Sequence, residues 1–88
     1  DYKSELQELI QKHRNILPVY KVGSESGKPP DTVFRVAVYL DEQEIGSGTG
    51  RNRRQAEQEA ALLALRNIGN FIHFEKLSET FFGEKPKN

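Results

Sequence analysis

The stretch Gly46-Ser-Gly-Thr-Gly-Arg-Asn-Arg-Arg-Gln-Ala-Glu-Gln-Glu-Ala-Ala61 constrains the fold of this chain more than any other. It reads as a strand end that opens directly into a helix. Gly46, Gly48 and Gly50 let a strand finish and the backbone turn free of Cβ clashes. Asn52 stands where an N-cap belongs, because its short side chain can accept from the free amides of the first turn. Arg51, Arg53 and Arg54 crowd that same end. A helix N-terminus carries partial positive charge, so cations placed there work against folding. The arrangement makes sense if an external anion lands there, met by free N–H groups, the helix dipole and two or three guanidinium groups. A solvated basic turn is the alternative reading.

Eighty-eight residues make one domain with a modest core. No run is apolar and long enough for a membrane span, and the start lacks a signal-peptide pattern. With no Cys, disulfides and Cys-ligated zinc are excluded, and an intracellular setting is the expectation, in nucleus or cytoplasm alike. His13 and His73 are too isolated to suggest a metal site. The formal net charge is zero, whereas a nucleic-acid binder is usually basic overall. Clustering matters more than the average here, because three cations fall within positions 51 to 54.

Taken in order, Asp1 to Arg14 reads as a helix, with Leu6, Leu9 and Ile10 on one side and His13 following. Ser4, Gln7, Glu8 and Gln11 share another side. A solvated surface is the plain reading of that stripe, but its amides and carboxylate suit 2′-hydroxyls and base edges better than phosphates. Pro18 breaks any helix. Val19 to Ser24 alternates as a strand, and a turn-rich loop of Gly, Ser and Pro runs to Asp31. Thr32 to Leu40 is the clearest strand, with Phe34, Val36 and Val38 on one face and Val33, Arg35, Ala37 and Tyr39 on the other. Asp41-Glu42 turns the chain into a third strand, Gln43 to Thr49, completing a meander.

Arg53 to Ile68 reads as the second long helix, with Ala56, Ala60, Leu63 and Ala64 on its buried face and Leu62 on the wet side. Gly69 suits the position after that helix, and Asn70 suits the cap of another. Phe71, Phe74, Leu77 and Phe81 then predict a short third helix over about 71–82, stopped by Gly83 and Pro86. The division is therefore residues 1–69 as the domain, 70–83 as a helical extension and 84–88 as a disordered tail. The fold class is α+β, an α-β-β-β-α two-layer arrangement with both helices on one face of a three-stranded antiparallel sheet.

These pieces resemble a double-stranded-RNA-binding domain, most of all the C-terminal one of ribonuclease III. The resemblance rests on Asp1-Tyr-Lys-Ser-Glu-Leu-Gln-Glu8, Leu17-Pro-Val-Tyr20, Ser24-Glu-Ser-Gly27, Phe34-Arg-Val-Ala-Val38 and the Gly46 to Ala61 stretch. It implies three contact regions. Ser4, Gln7, Glu8 and Gln11 would lie in one minor groove. The loop of Ser26, Gly27, Lys28, Pro29 and Pro30, on to Asp31, would reach the next. Arg51, Asn52, Arg53 and Arg54 would take phosphates across the major groove between, where the family has adjacent lysines. Such domains span about 16 base pairs.

Two positions depart from the family pattern. Pro30 stands where the loop often has His, and Glu57 stands where many members have Lys, although bacterial-type ribonuclease III domains commonly have Glu. The aromatic extension and Gly-Thr-Gly-Arg-Asn resemble fungal ribonuclease III, which leans toward a eukaryotic source. An extension of that kind would brace the first helix.

The resemblance implies a binder of duplex RNA that anchors substrate for an endoribonuclease. The chain itself shows no clustered carboxylates for Mg²⁺-dependent cleavage. No catalytic residue, metal site or cofactor is expected in it; Mg²⁺ belongs to a separate catalytic domain of a parent ribonuclease. The expected partner is double-stranded RNA, with no membrane, a monomeric domain and a parent that dimerises through its catalytic domain. The competing reading is a domain of the same fold that has lost RNA binding and serves protein interaction.

Overall fold

In the computed structural model the chain forms α1 (Tyr2–His13), β1 (Val19–Ser26), β2 (Val33–Leu40), β3 (Gln43–Gly50) and α2 (Arg53–Phe82). The structure describes the backbone of residues 1–82 and the side chains of residues 1–69. The strands make one antiparallel sheet in the order β1-β2-β3. The α-β-β-β-α order and the meander match the sequence expectation.

Local chemistry explains α1. The Asp1 carboxylate accepts from the Ser4 amide at 2.8 Å, capping the N-terminus. Glu5 lies in the first turn and Lys12 and His13 in the last, so the charges complement the helix dipole at both ends. Leu6 and Ile10 are buried, whereas His13 is exposed. In β2 the buried residues are Val36 and Val38, the face that strand alternation predicts. Asp41 makes the β2–β3 turn in the left-handed region, φ 56°, which a short polar side chain tolerates.

One core joins the layers: Leu6 and Ile10 of α1, Val38 of β2, and Ala60, Ala61 and Ala64 of α2. The two helices therefore share one face of the sheet. Their direction follows from three links at successive heights. Lys3 meets Glu57, the Tyr2 amide donates to Gln58 Oε1 at 2.9 Å, and Leu6 and Ile10 pack with Ala60 and Ala64 further along. Hence α1 runs beside α2 in the same sense. At its far end Arg14 reaches the β2–β3 turn, pairing with Asp41 at 3.0 Å.

Three sequence expectations need correction. First, the glycines of β3 do more than end the strand; Gly46 and Gly48 lie within it and Gly50 is its last residue. None has a positive φ. Their role is close approach. A Cβ built on Gly46 would stand 2.5 Å from the Ala60 carbonyl oxygen, one on Gly48 2.5 Å from the Ala60 nitrogen, and one on Gly50 2.6 Å from the Ala56 nitrogen. Alternate glycines of the strand face Ala56, Ala60 and Ala64, and the helix backbone settles almost directly on the sheet. Second, Leu63 is not on the buried face. It is 39% exposed, while its neighbour Ala61 is fully buried. The small-residue seam rotates the helix toward Ala61 and leaves Leu63 at the edge.

Third, residues 71–82 are helical, but not as a separate helix. α2 continues through Gly69 and Asn70 to Phe82, 30 residues in all. Glycine inside a helix costs only about 1 kcal/mol relative to alanine, so it permits a break without requiring one. Among the described residues nothing lies within 4 Å of a Cβ at Gly69. The side chains of the 70–82 segment, the bracing of α1 expected from them and the 84–88 tail lie outside the described residues.

Candidate nucleic-acid interface

The sheet register decides where the sequence-predicted site residues gather. Ser26 pairs with Val33 across the β1–β2 hairpin, and Phe34 pairs with Gly50 at the end of β3. The hairpin loop and the start of α2 are therefore at the same end of the sheet. α1 begins at that end too, because Tyr2 and Lys3 are tied to Gln58 and Glu57. Three segments distant in sequence thus converge.

At the α2 start, Asn52 Oδ1 accepts from the Gln55 amide at 2.9 Å, and the Asn52 carbonyl accepts from Ala56 at 3.2 Å. Gln55 answers by accepting from the Arg51 amide at 3.2 Å. This is a capping box displaced by one residue. It leaves the amides of Arg53 and Arg54 without an intrahelical acceptor. No acid lies in the first turn of α2. Arg51, Asn52, Arg53 and Arg54 are all exposed. Among the described residues Arg51 and Arg54 pair with no carboxylate. α1 obeys the dipole rule at both ends and the α2 start does not; free amides and exposed guanidinium groups at a helix N-terminus are groups that can meet an anion.

Ser4, Gln7, Glu8 and Gln11 are exposed on α1. Ser26, Gly27, Lys28, Pro29, Pro30 and Asp31 are exposed in the hairpin. Gly27 takes φ +81°, a conformation that favours glycine, and the Asp31 amide donates to the Lys28 carbonyl at 2.7 Å to close the loop tip.

Sequence reasoning missed the group that joins the start of α1 to the start of α2. Glu57 is only 8% exposed and accepts from Lys3 Nζ at 2.5 Å and from Arg53 Nε at 3.0 Å. Burial pushes the Glu57 carboxyl up, but the hydrogen bonds and charges of Lys3 and Arg53 outweigh it and hold the group below the usual carboxylate range. Lys3 Nζ also sits 4.8 Å from the centre of the Tyr20 ring. Burial, with the nearby Glu57 charge, pushes the Tyr20 hydroxyl up to about 12. The spacing of Arg53 and Glu57, one helical turn apart, is a signal that was present in the sequence. Lys3 and Tyr20 gave none.

Among the described residues no group of three His, Cys, Asp or Glu is placed to hold a metal ion, and no helix is long and apolar enough to cross a membrane.

A two-layer domain with a basic helix start whose first turn holds no acid, beside an exposed hairpin and an exposed polar helix face, defines a nucleic-acid-binding class of module. Residues 2–68 match the family model described as the double-stranded RNA binding motif, and the chain belongs to that family. It is similar to Ribonuclease 3 of Borreliella burgdorferi, 44% identical over 70 residues, covering 80% of this chain and 29% of that protein. Ribonuclease 3 of Listeria welshimeri is 38% identical over 68 residues, covering 77% and 30%. The chain thus spans about three tenths of the length of these curated relatives. Among solved structures it is similar to one described as the structure of Arabidopsis HYL1 and its implications for miRNA processing. That match has a TM-score of 0.66 and 37% identity, covering 77% of this chain and 96% of that one. It is also similar to the second dsRBD of DRB4, with a TM-score of 0.60 and 32% identity, covering 80% and 97%. The chain is a double-stranded-RNA-binding domain resembling that of ribonuclease III.

Proposed function

We propose that this domain recognises A-form RNA duplex by shape, through the hairpin loop and α2 start at one end of the sheet and the exposed face of α1 that runs away from that end. Arg51, Arg53 and Arg54, with the free amides at the α2 start and the Asn52 cap, take phosphates. Ser4, Gln7, Glu8 and Gln11 read 2′-hydroxyls in one minor groove. The Ser26–Pro30 loop touches the next groove mainly through backbone and Lys28, since Pro30 offers no imidazole. The observation that carries this reading is the helix start with three arginines, free amides and no acid in its first turn.

The relatives named Ribonuclease 3 support a further step. This domain holds duplex substrate for an intracellular endoribonuclease whose Mg²⁺-binding carboxylates lie in a separate domain. The domain acts as a monomer and needs no cofactor, and the parent dimerises through its catalytic part.

The test compares binding to an RNA duplex of about 20 base pairs, the same sequence as DNA, and single-stranded RNA, at several salt concentrations. Selective, salt-sensitive binding to duplex RNA is expected. Arg53→Ala with Arg54→Ala should weaken it about tenfold or more, regardless of sequence, and reduce the salt slope by about two units. Equal binding to all three nucleic acids, or none, would favour a protein-interaction module instead.

A further inference from the structure

A carboxylate one turn into the phosphate-facing helix is out of place on simple charge grounds. Glu57 nevertheless sits there, nearly buried, four residues after Arg53. Lys3, whose ammonium it receives, is additionally seated on the Tyr20 ring. Glu57 therefore connects α1, β1 and α2.

The geometry at Arg53 shows what the carboxylate does. Arg53 donates to Glu57 through Nε. Its two Nη groups carry four of the five guanidinium N–H donors and make no hydrogen bond among the described residues. The side chain is 59% exposed, so those donors look outward. A guanidinium held by its inner nitrogen presents its fork already oriented, and a planar fork matches phosphate oxygens in pairs. At Lys3 the effect differs. That ammonium is spent on Glu57 and Tyr20, which fixes the start of α1 against α2. Two cations and one carboxylate leave the cluster net positive.

We infer that Glu57 is a positioning residue for RNA binding: it orients the Arg53 fork toward phosphate and, through Lys3, sets the groove-facing side of α1 against the phosphate-facing end of α2. This inference rests on the function proposed above.

The experiment measures duplex-RNA affinity over a salt series for Glu57→Gln and Glu57→Ala, each alone and combined with Arg53→Ala. Charge removal alone predicts tighter binding and a steeper salt slope, because one negative charge leaves the interface. Positioning predicts the opposite. Affinity should fall by about fivefold or more, and the slope should become shallower by up to about one unit, as one phosphate contact is lost. The loss should be clearly smaller when Arg53 is already Ala. Tighter binding, unchanged binding, or an equal loss in both backgrounds would overturn the inference while leaving the proposed function standing. A parent domain that binds no duplex RNA would overturn both. Lys3 and Arg53 both reach solvent and can hydrate when unpaired. Glu57→Gln also keeps the side-chain volume, so the comparison holds even where Glu57→Ala unfolds.

Discussion

Tyr20 shows how tightly one residue can be bound into this arrangement. Its ring supports the Lys3 ammonium, yet its hydroxyl is buried with no hydrogen-bond partner among the described residues. An unsatisfied buried hydroxyl costs about 1–3 kcal/mol. Removing the oxygen while keeping the ring should therefore help. Tyr20→Phe is expected to raise stability by about 1 kcal/mol, read as a higher urea midpoint with an unchanged m-value. A drop of similar size would mean that the hydroxyl has a partner after all. The sequence reading placed Tyr20 on a strand, as β1 bears out. It did not show that a lysine would sit on the ring, because that lysine comes from another element.

At the scale of elements, the contact between β3 and α2 decides the packing. Its small residues are what allow the helix to descend onto the sheet. Gly48→Ala is the sharp test. The new Cβ would meet the Ala60 nitrogen at 2.5 Å and the Ala56 carbonyl at 2.8 Å, both backbone atoms that cannot rotate away. Overpacking of this kind costs about 1–3 kcal/mol, and thermal unfolding should shift down accordingly. Gly69→Ala makes the contrast within the same helix, since no described residue lies within 4 Å of a Cβ there and helix propensity acts without a clash. In sequence, the glycines of β3 and the glycine at 69 look alike as chain breakers. The first set is a packing seam and the second is an unremarked position in a continuous helix. Glycine signals freedom, and only the neighbours say whether that freedom is used.

At the scale of the whole molecule, the Glu57 cluster links helix, sheet and interface, and it makes stability depend on acid. The folded carboxyl lies below its unfolded value of about 4.5. The folded state therefore favours the charged form. Its contribution is complete above pH 4.5 and is lost as pH falls through the lower, folded value. Urea midpoints should accordingly fall below about pH 4.5 in the parent domain, and the fall should be shallower in Glu57→Gln. Identical acid profiles would show that the cluster carries no such linkage. The same register that brings Ser26 to Val33 and Phe34 to Gly50 puts the loop and the α2 start at one end, and the Tyr2 and Lys3 links bring the start of α1 there. The proposed recognition of a regular duplex needs these segments held at fixed separations, because successive grooves have a fixed geometry.

The sequence alone determined the order and type of the elements, the strand faces of Val36 and Val38, the Asn52 cap and the basic start of α2. Each of these is written in periodicities and caps spanning a few residues, where local sterics and hydrogen bonding act directly. Tertiary structure decided what the β3 glycines are for, that α2 runs on through Gly69, and that Glu57 joins Lys3 to Arg53. Lys3 and Glu57 are separated by 54 positions. A pairing at that distance arises only when two helices lie side by side over one sheet, and burial then turns a carboxylate that would repel RNA into one that orders its cations.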